Sequence, residues 1–213
     1  MTSDAAWSLV VPVKVLAKAK SRLAGLVSPA RTDLVLAMAA DTVAAAAAAE
    51  QVTAVLVVTD DAAVGEELGS LGAVVLADEP AAGLNAALSF GADYAERHWP
   101  GCGRAGLAGD LPALRPAELT GALRAAQAAG EAFVPDAAGT GTTLYAAAPG
   151  RPFRPGFGAD SRARHLAAGA AELELPAHAG LRTDVDTVAD LRLAAELGVG
   201  PRTAALLEAA WPG

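Results

Sequence analysis

The sequence predicts an α/β domain whose sheet is mostly parallel and carries helices on both faces. Apolar runs of strand length occur at residues 7–13, 51–58 and 73–76, and helical sequence separates them. Continuous apolar runs are typical of parallel strands, because both faces of such a sheet are covered. Strands that alternate with helices along the chain indicate a doubly wound arrangement. The 213 residues fit a single domain, which we place at 1–213.

The composition disfavours several classes of protein. A net charge of −8 and an aromatic content of 4% are unfavourable for nucleic-acid binding, which needs a positive field and stacking surfaces. The single cysteine, Cys102, permits neither an internal disulfide nor a cysteine-based metal cluster. The apolar run at 7–13 is too short to cross a membrane. We therefore expect a cytoplasmic protein that binds neither nucleic acid nor membranes.

The helices follow from capping and turn signals. Pro29 after Ser28 is typical of a first helical turn, and the alanine-rich sequence that follows favours helix. Thr187 and Asp190 have the spacing of a capping box at the start of another helix. The predicted helices with both ends assigned are 29–50, about 85–98, 116–129, 188–197 and 201–210. A short helix ends at 71, and another follows 161. A further strand is predicted at 132–135.

Residues 107–114 carry a single acidic side chain at the end of an apolar run. Ligands of open α/β sheets bind beyond the carboxyl ends of the strands. A carboxylate at such a place is costly to desolvate unless it is paired or binds a metal. Asp110 is therefore a candidate metal-binding or phosphate-handling residue. The alternative is a turn or cap aspartate ahead of the helix that begins near Pro116.

A basic segment follows the first predicted strand, although the chain as a whole is acidic. Its four cations are Lys14, Lys18, Lys20 and Arg22. The loop after the first strand is where α/β proteins commonly hold nucleotide phosphates. We therefore predict that Lys14, Lys20 and Arg22 face a phosphate chain. The alternative is a solvated amphipathic turn.

Two glycine-containing segments in the middle of the chain differ in what they predict. Gly83 and Asn85 stand at a helix start, where the Asn85 amide could contact the edge of a nucleobase. The alternative is an ordinary loop with a capping asparagine. Residues 101–106 match G-x-G-x-x-G, but a dinucleotide-binding motif must follow a strand and open a helix. Here the segment follows a helix, so we interpret it as a linking loop.

Two later segments are candidate cradles for a small anionic substrate. Residues 139–143 read Gly-Thr-Gly-Thr-Thr, which allows close backbone approach and supplies hydroxyl donors, and which also suits a hairpin turn. Gly158 and Ser161 lie at the start of a predicted helix, where free N–H groups attract anions. His165 on that helix is interpreted as a surface or structural residue and is not assigned to the site.

Asp184 and Asp186 form an acidic pair late in the chain. Alternate side chains of an extended segment point to the same face, so the two carboxylates would lie together. They repel each other unless a cation lies between them. Asp186 also suits a role beside the capping box of Thr187 and Asp190, but that explanation does not account for Asp184.

Together these segments supply what phosphoryl chemistry on a nucleotide requires: cations for phosphates and carboxylates for a metal ion. At this level of detail the chain resembles the phosphoenolpyruvate and 2-phospho-L-lactate guanylyltransferases of coenzyme F-420 biosynthesis. The resemblance extends over about residues 9–201 and depends on the order of the segments, since each alone is weak. Its carriers are VPVK (11–14) with AKSRL (19–23), GLN (83–85), GDLPAL (109–114), GTGT (139–142), FGADS (157–161) and DVDTVADL (184–191).

The resemblance implies a fold and a set of site residues. The implied fold is Rossmann-like, of the nucleotide-diphospho-sugar transferase type, with a central mixed, mostly parallel sheet flanked by helices. The implied Mg²⁺-binding and catalytic residues are Asp110, Asp184 and Asp186. The implied contacts of the phosphorylated acid are Thr142, Gly158 and Ser161, although Thr142 and Thr143 are hard to distinguish. The implied nucleotide contacts are Lys14, Lys20 and Arg22 at the triphosphate and Asn85 near the base.

The implied reaction joins the GMP moiety of GTP to phosphoenolpyruvate, or to 2-phospho-L-lactate, and releases pyrophosphate. The implied partners are GTP and a small phosphorylated carboxylic acid, with hand-off of the product to the next enzyme of the pathway. A phosphate oxygen is already anionic near neutral pH, so the reaction needs no strong general base.

Two other functions fit parts of the sequence. A nucleotidyltransferase for a sugar phosphate or a molybdenum-cofactor precursor would use the same aspartates, but it would need a glycine-rich first loop that residues 14–22 lack. A non-catalytic GTP-sensing domain would bind GTP without releasing pyrophosphate and would tolerate Asp184→Ala.

Overall fold

One mixed sheet organises the part of the chain that the structure describes. The computed structural model describes residues 6–13, 28–78 and 81–210, with the backbone alone for 28–31 and 210. The strands are β1 (Trp7–Pro12), β2 (Val52–Val58), β3 (Val74–Leu76), β4 (Gly103–Leu107), β5 (Glu131–Val134), β6 (Leu144–Ala147) and β7 (Ala171–Glu172). The helices are α1 (Ser28–Ala47), α2 (Ala62–Ser70), α3 (Leu84–His98), α4 (Pro116–Ala129), α5 (Ser161–Ala167), α6 (Val188–Leu197) and α7 (Pro201–Ala210), with a 3-10 turn at Gly180–Arg182.

The sheet order is β3-β2-β1-β4-β6-β5-β7. Strand β6 is antiparallel to both of its neighbours, β4 and β5, while every other pairing within the described residues is parallel. The predicted mixed, mostly parallel sheet is therefore confirmed. Leu107 of β4 and Val134 of β5 both pair with Leu144 of β6. The ends of β4 and β5 and the start of β6 consequently lie at the same edge of the sheet.

The sheet separates two hydrophobic cores. Leu9 and Val11 of β1 pack in the larger core together with side chains of α1 and α4, such as Met38 and Leu119. Val10 lies in the smaller core on the opposite face, which α3 and its Leu88 cover. Side chains of a strand alternate between faces, so the continuous apolar run at β1 reflects burial on both sides. This confirms the doubly wound arrangement.

Helix limits agree with the capping signals where those signals are strong. Helices α4, α6 and α7 begin and end at the predicted residues. At the start of α6, the Asp190 amide donates to Thr187 Oγ1 (3.2 Å) and the Thr187 amide donates to Asp190 Oδ2 (2.7 Å), which is the predicted capping box. Helix α1 ends at Ala47, three residues early, because Gln51 takes a left-handed conformation with φ of 72° and turns the chain into β2.

The interpretation of residues 101–106 as a linking loop is wrong, because β4 begins at Gly103. Gly103 lies beneath Trp7 of β1, and a Cβ atom there would stand 2.5 Å from Trp7 Cε3. Gly106 is covered by Leu88 of α3 in the same way, with a Cδ2 distance of 2.8 Å. These glycines therefore make room for large side chains. The exclusion of a dinucleotide-binding motif stands, since a strand and not a helix follows the first glycine.

None of the helices within residues 28–78 and 81–210 is long and apolar enough to span a membrane.

Candidate active site

A cavity of about 550 Å³ opens at the edge of the sheet where β4 and β5 end and β6 begins. This is the position at which open α/β sheets bind their ligands. Its walls come from segments that are distant in sequence. The lining residues are Pro12, Leu84, Leu88, 107–110, Asp136, 140–142, 157–161, Asp184 and Asp186.

Asp110 lines this cavity three residues beyond the end of β4. The alternative role as a cap of α4 is wrong, because α4 begins at Pro116 and Arg115 stands at its cap position. The Asp110 segment is held at two points. The Leu111 amide donates to the buried Thr42 hydroxyl of α1 (3.0 Å), and the Asp110 carbonyl accepts from the Val185 amide (3.1 Å). The second bond ties Asp110 directly to the segment that carries the acidic pair.

Asp184 and Asp186 both line the cavity, whereas Val185 between them is fully buried in the larger core. The prediction that the two carboxylates share a face is therefore confirmed. The turn that precedes them is anchored by Glu118 of α4. Its carboxylate accepts from the amides of Gly180 and Leu181, each at 3.1 Å. Two bonds from one carboxylate fix the approach of the chain to the cavity.

The carboxylates at this edge repel one another. Burial, followed by the charges of Asp110, Asp186 and Asp136, raises the pKa of Asp184 from 3.8 to about 7. Removing a carboxylate from water and surrounding it with like charges both disfavour its ionised form. A cation placed among these groups would reverse the effect, so a strongly raised pKa here is a mark of a binding site.

Asp136, which follows β5, is a cavity residue that sequence reasoning missed. Its carboxylate accepts from the Thr140 amide (2.9 Å) and from the Gly141 amide (2.8 Å), and so it closes the turn between β5 and β6. The Pro-Asp-x-x-Gly sequence indicated such a turn. That the same carboxylate faces Asp184 follows only from the sheet order.

The described lining of the cavity is entirely anionic in its charged side chains. It contains five aspartates, the fifth being Asp160, and no lysine or arginine among the described residues. An anionic ligand would therefore need a source of positive charge. Lys14, Lys20 and Arg22, which the sequence predicts at a triphosphate, lie outside the described residues.

The carboxylates could also hold a divalent cation. Within the described part of the chain, no three histidine, cysteine or acidic side chains are grouped as a ready-made metal site. Mg²⁺ commonly takes only one or two carboxylates and completes its shell with water and substrate phosphates. Asp110, Asp184 and Asp186 offer the oxygen ligands that this ion prefers, and their mutual repulsion favours it.

The three residues predicted to contact the acid, Thr142, Gly158 and Ser161, line the same cavity. The expectation of free N–H groups at the start of α5 is wrong for the first two amides. The Ser161 amide donates to the Gly158 carbonyl and the Arg162 amide to the Thr140 carbonyl, each at 3.1 Å. The Ser161 side chain is instead the available group, because its hydroxyl is fully buried and has no hydrogen-bond partner among the described residues.

The structure distinguishes the two neighbouring threonines. The Thr143 hydroxyl is buried away from the cavity and donates to the Leu181 carbonyl at 2.6 Å. Thr142 lines the cavity, and its Oγ1 lies 3.0 Å from Nδ1 of His165. Of the pair, Thr142 is thus the one placed to meet a ligand.

His165 is a second residue whose place at the site sequence reasoning did not detect. Its ring is buried, stacks on Tyr145 with centroids 4.8 Å apart, and meets the edge of Phe157. Burial, and then the charge of Arg164, lowers its pKa to about 4. The surface interpretation is therefore wrong and the structural one holds. Nothing local marks this contact in the sequence, since Thr142 is 23 residues away.

Asn85 joins the two sides of the cavity mouth. It lies in the first turn of α3, whose cap residue is Gly83, so the alternative of a capping asparagine is wrong. Its Nδ2 donates to the Phe157 carbonyl (3.0 Å) and its Oδ1 accepts from the Phe157 amide (2.8 Å). Asn85 thereby holds the 157–161 segment against α3. Its contact with a nucleobase stays a prediction.

A family model described as "Guanylyl transferase CofC like" matches residues 7–191. The chain belongs to this family. The matched residues include every cavity-lining segment, from Pro12 to Asp186. The family resemblance inferred from the ordered motifs is thereby confirmed.

Individual relatives agree with membership of the CofC-like guanylyl transferase family. The chain is 56% identical over 204 residues to phosphoenolpyruvate guanylyltransferase of Thermomonospora curvata, covering 96% of this chain and 90% of that protein. It is 59% identical over 201 residues to the protein of the same name from Streptomyces coelicolor, covering 94% and 95%.

Solved structures show the fold alone. A nucleotide-diphospho-sugar transferase-like structure from Desulfovibrio desulfuricans G20 matches with a TM-score of 0.72 at 18% identity, covering 95% of this chain and 94% of that one. A nucleotidyl transferase from Methanothermobacter matches with a TM-score of 0.54 at 20% identity, covering 90% and 97%. The predicted nucleotidyltransferase-type fold is confirmed.

Proposed function

We propose that this chain transfers the GMP moiety of GTP to phosphoenolpyruvate and releases pyrophosphate, as a step of coenzyme F-420 biosynthesis. Its membership of the guanylyl transferase family and the names of its relatives support this proposal. The observation that carries it is the composition of one cavity. Three aspartates from two separate segments face it together with Thr142, Gly158 and Ser161.

The proposed reaction is a displacement at phosphorus. A phosphate oxygen of phosphoenolpyruvate attacks the α-phosphorus of GTP and forms a new P–O–P bond. The bond from the α-phosphorus to the bridging oxygen of the β-phosphate breaks, and pyrophosphate leaves with that electron pair. The attacking phosphate is ionised near neutral pH, so no residue has to remove a proton from it. Catalysis then depends on positioning and on neutralising charge.

In this proposal different residues bind the acid, the metal ion and the nucleotide. The hydroxyls of Thr142 and Ser161 bind and orient the acid, and the backbone at Gly158 lies beside them. Asp110, Asp184 and Asp186 would hold Mg²⁺, which when bound neutralises charge on the reacting phosphates. Lys14, Lys20 and Arg22 would face the triphosphate, with Asn85 near the base. The product then passes to the next enzyme in the cytoplasm, because its new phosphoanhydride is open to hydrolysis.

The test is pyrophosphate release in the presence of Mg²⁺, with GTP and ATP each offered together with phosphoenolpyruvate, 2-phospho-L-lactate or 3-phosphoglycerate. Release with GTP and phosphoenolpyruvate supports the proposal as stated. Release with GTP and another acid corrects the substrate and keeps the reaction. Folded protein that binds GTP but releases no pyrophosphate with any acid contradicts the proposal and supports a GTP-sensing role.

Replacing Asp110 by asparagine is expected to reduce pyrophosphate release by at least about 100-fold, because one charged oxygen ligand becomes a weaker neutral one. The side chain keeps its size and one charge that repels Asp184 is removed, so the thermal midpoint of unfolding should not fall. The matched control is Asp93→Asn, which removes an exposed carboxylate of α3 that does not line the cavity and should leave the rate unchanged. Undiminished release by Asp110→Asn would show that the metal assignment is wrong.

Mg²⁺ binding should become tighter as the pH rises through about 7. Asp184 holds its proton up to about that pH, and a metal ion must displace this proton to use the carboxylate. Calorimetry at pH 6 and pH 8.5, in buffers of different ionisation enthalpy, should find proton release at the lower pH only. Equal affinity at both pH values, without proton release, would contradict the role given to Asp184.

A further inference from the structure

The His165 ring has two hydrogen-bond partners, Thr142 of the cavity lining and Gly156, which directly precedes the lining segment 157–161. The Gly156 amide donates to Nε2 at 3.0 Å, and Thr142 Oγ1 lies 3.0 Å from Nδ1. Gly156 precedes the segment that carries Gly158 and Ser161, whereas Thr142 precedes β6. The imidazole thus joins the two sets of groups that face the acid, beside the backbone bond from the Arg162 amide to the Thr140 carbonyl.

The bond at Nε2 determines where the ring proton lies. A backbone amide can only donate, so Nε2 must be the unprotonated nitrogen. The ring is buried between aromatic side chains, which favours its neutral form, and the pKa of about 4 agrees. A neutral imidazole carries one ring proton, which therefore stands on Nδ1 and is donated to Thr142 Oγ1.

The proton on Nδ1 also determines the direction in which the Thr142 hydroxyl hydrogen points. Its oxygen accepts from His165, so its own hydrogen is directed to another acceptor. Thr142 lines the cavity, and a ligand there can supply that acceptor. With Nδ1 unprotonated this hydroxyl would donate to the ring, whereas with the proton on Nδ1 its hydrogen is left for another acceptor. That hydrogen suits a phosphate or carboxylate oxygen, which can only accept.

We infer that His165 is a positioning residue, which holds the Thr142 hydroxyl as a hydrogen-bond donor toward the acid substrate and keeps the Gly156–Gly158 wall at the right distance from it. This inference rests on the proposed function. It assigns His165 no contact with the reacting atoms. It also predicts that the cavity selects ligands with a fully ionised acidic group at Thr142 over neutral analogues.

Two substitutions at His165 separate its two bonds. In His165→Asn the amide nitrogen can replace Nδ1 and still donate to Thr142, while the Gly156 bond is lost. In His165→Gln the amide oxygen can replace Nε2 and still accept from Gly156, while the donor to Thr142 is lost. We expect His165→Gln to raise the KM for phosphoenolpyruvate about tenfold or more and His165→Asn to raise it less, with the KM for GTP within about twofold in both. His178→Gln, at an exposed histidine, is the control and should change neither constant.

Thr142 supplies a second comparison, in which the single variants leave His165 unchanged. Thr142→Val should raise the KM for the acid. Thr142→Ser keeps the hydroxyl, so its KM for the acid should stay close to that of the wild type. In the double variant Thr142→Val/His165→Gln, the KM for the acid should equal that of Thr142→Val alone, because His165 acts through this hydroxyl. If the two substitutions multiplied each other's effect on the KM for the acid, His165 would serve only the packing and the inference would be overturned. Equal increases in the KM for the acid and the KM for GTP would overturn it in the same way.

A spectroscopic measurement separates the inference from the proposed function. Nitrogen-15 NMR of the full-length protein between pH 6 and 8 should show His165 neutral, with the proton on Nδ1, and the His165 variants assign its signals. A proton on Nε2 would overturn the inference whether or not the enzyme is active. Wild-type protein that turns over no acid but shows the Nδ1 proton would contradict the proposed function and leave the geometry of the Thr142 donor supported.

Discussion

Replacing Asp184 by asparagine is expected to stabilise the ligand-free protein while it abolishes guanylyl transfer. The pKa of this carboxyl is raised from 3.8 to about 7, so the folded state holds the proton more tightly than the unfolded state does. The associated stability is fully present below about pH 4 and is lost as the pH rises through about 7. Asparagine cannot ionise and avoids that loss. At pH 8 we expect a gain of roughly 2 to 4 kcal/mol in the free energy of unfolding, with pyrophosphate release reduced at least about 100-fold.

Urea denaturation at pH 4, 6 and 8 measures this prediction. The advantage of Asp184→Asn over wild type should be absent at pH 4 and should grow with pH. Asp93→Asn removes the same charge from an exposed position on α3 and should stay within about 0.5 kcal/mol of wild type at every pH. A destabilised Asp184→Asn at pH 8 would mean that Asp184 is paired rather than repelled in the ligand-free protein.

Replacing Gly180 by alanine is expected to cost about 3 kcal/mol or more in the free energy of unfolding. A Cβ atom at this position would stand 2.0 Å from the carbonyl oxygen of Ala113 and 2.5 Å from its carbonyl carbon. Both atoms belong to the backbone, so no side-chain rotation can relieve the clash. The turn at Gly180–Arg182 must shift, and it leads directly to Asp184. The free energy of unfolding measured by chemical denaturation and the rate of pyrophosphate release should therefore both be lower than in the wild type.

Gly121→Ala is the matched control for this substitution. Gly121 lies on the exposed side of α4, and nothing stands within 4 Å of a Cβ atom added there. Alanine is the better helix former, so this variant should be more stable by about 0.5 to 1 kcal/mol. Wild-type stability in Gly180→Ala would show that the contact between this turn and Ala113 is looser than the structure has it.

The elements that local chemistry dictates could be predicted to the residue. Helix α4 begins at Pro116, and α6 begins after the Thr187–Asp190 capping box, because proline and paired caps act over one turn. Asp110, Asp184 and Asp186 could be placed together, since the end of a strand and an alternating segment each determine where a carboxylate points. The positive charge predicted at Lys14, Lys20 and Arg22 stays a prediction.

The remaining features depend on pairings that no local pattern encodes. Strand β7 has two residues, which is too short for any periodicity to indicate. Asp136 could be assigned to a turn, but its approach to Asp184 requires the order of the sheet. His165 looked ordinary because its partners, Thr142 and Gly156, come from other segments. The glycines of β4 resembled a loop because the Trp7 ring that covers Gly103 belongs to β1.

Strand β6, which alone among the described strands runs antiparallel to its neighbours, has a consequence for how the protein folds. Asp110 follows β4 and Asp136 follows β5, yet these two strands do not pair with each other, and each pairs with β6. Of the three, β6 is the last to leave the ribosome. A chain without β6 lacks the strand that joins β4 to β5, so we expect the cavity to be complete only once β6 has paired. Binding of a ligand between Asp110 and Asp136 would then report completion of the sheet.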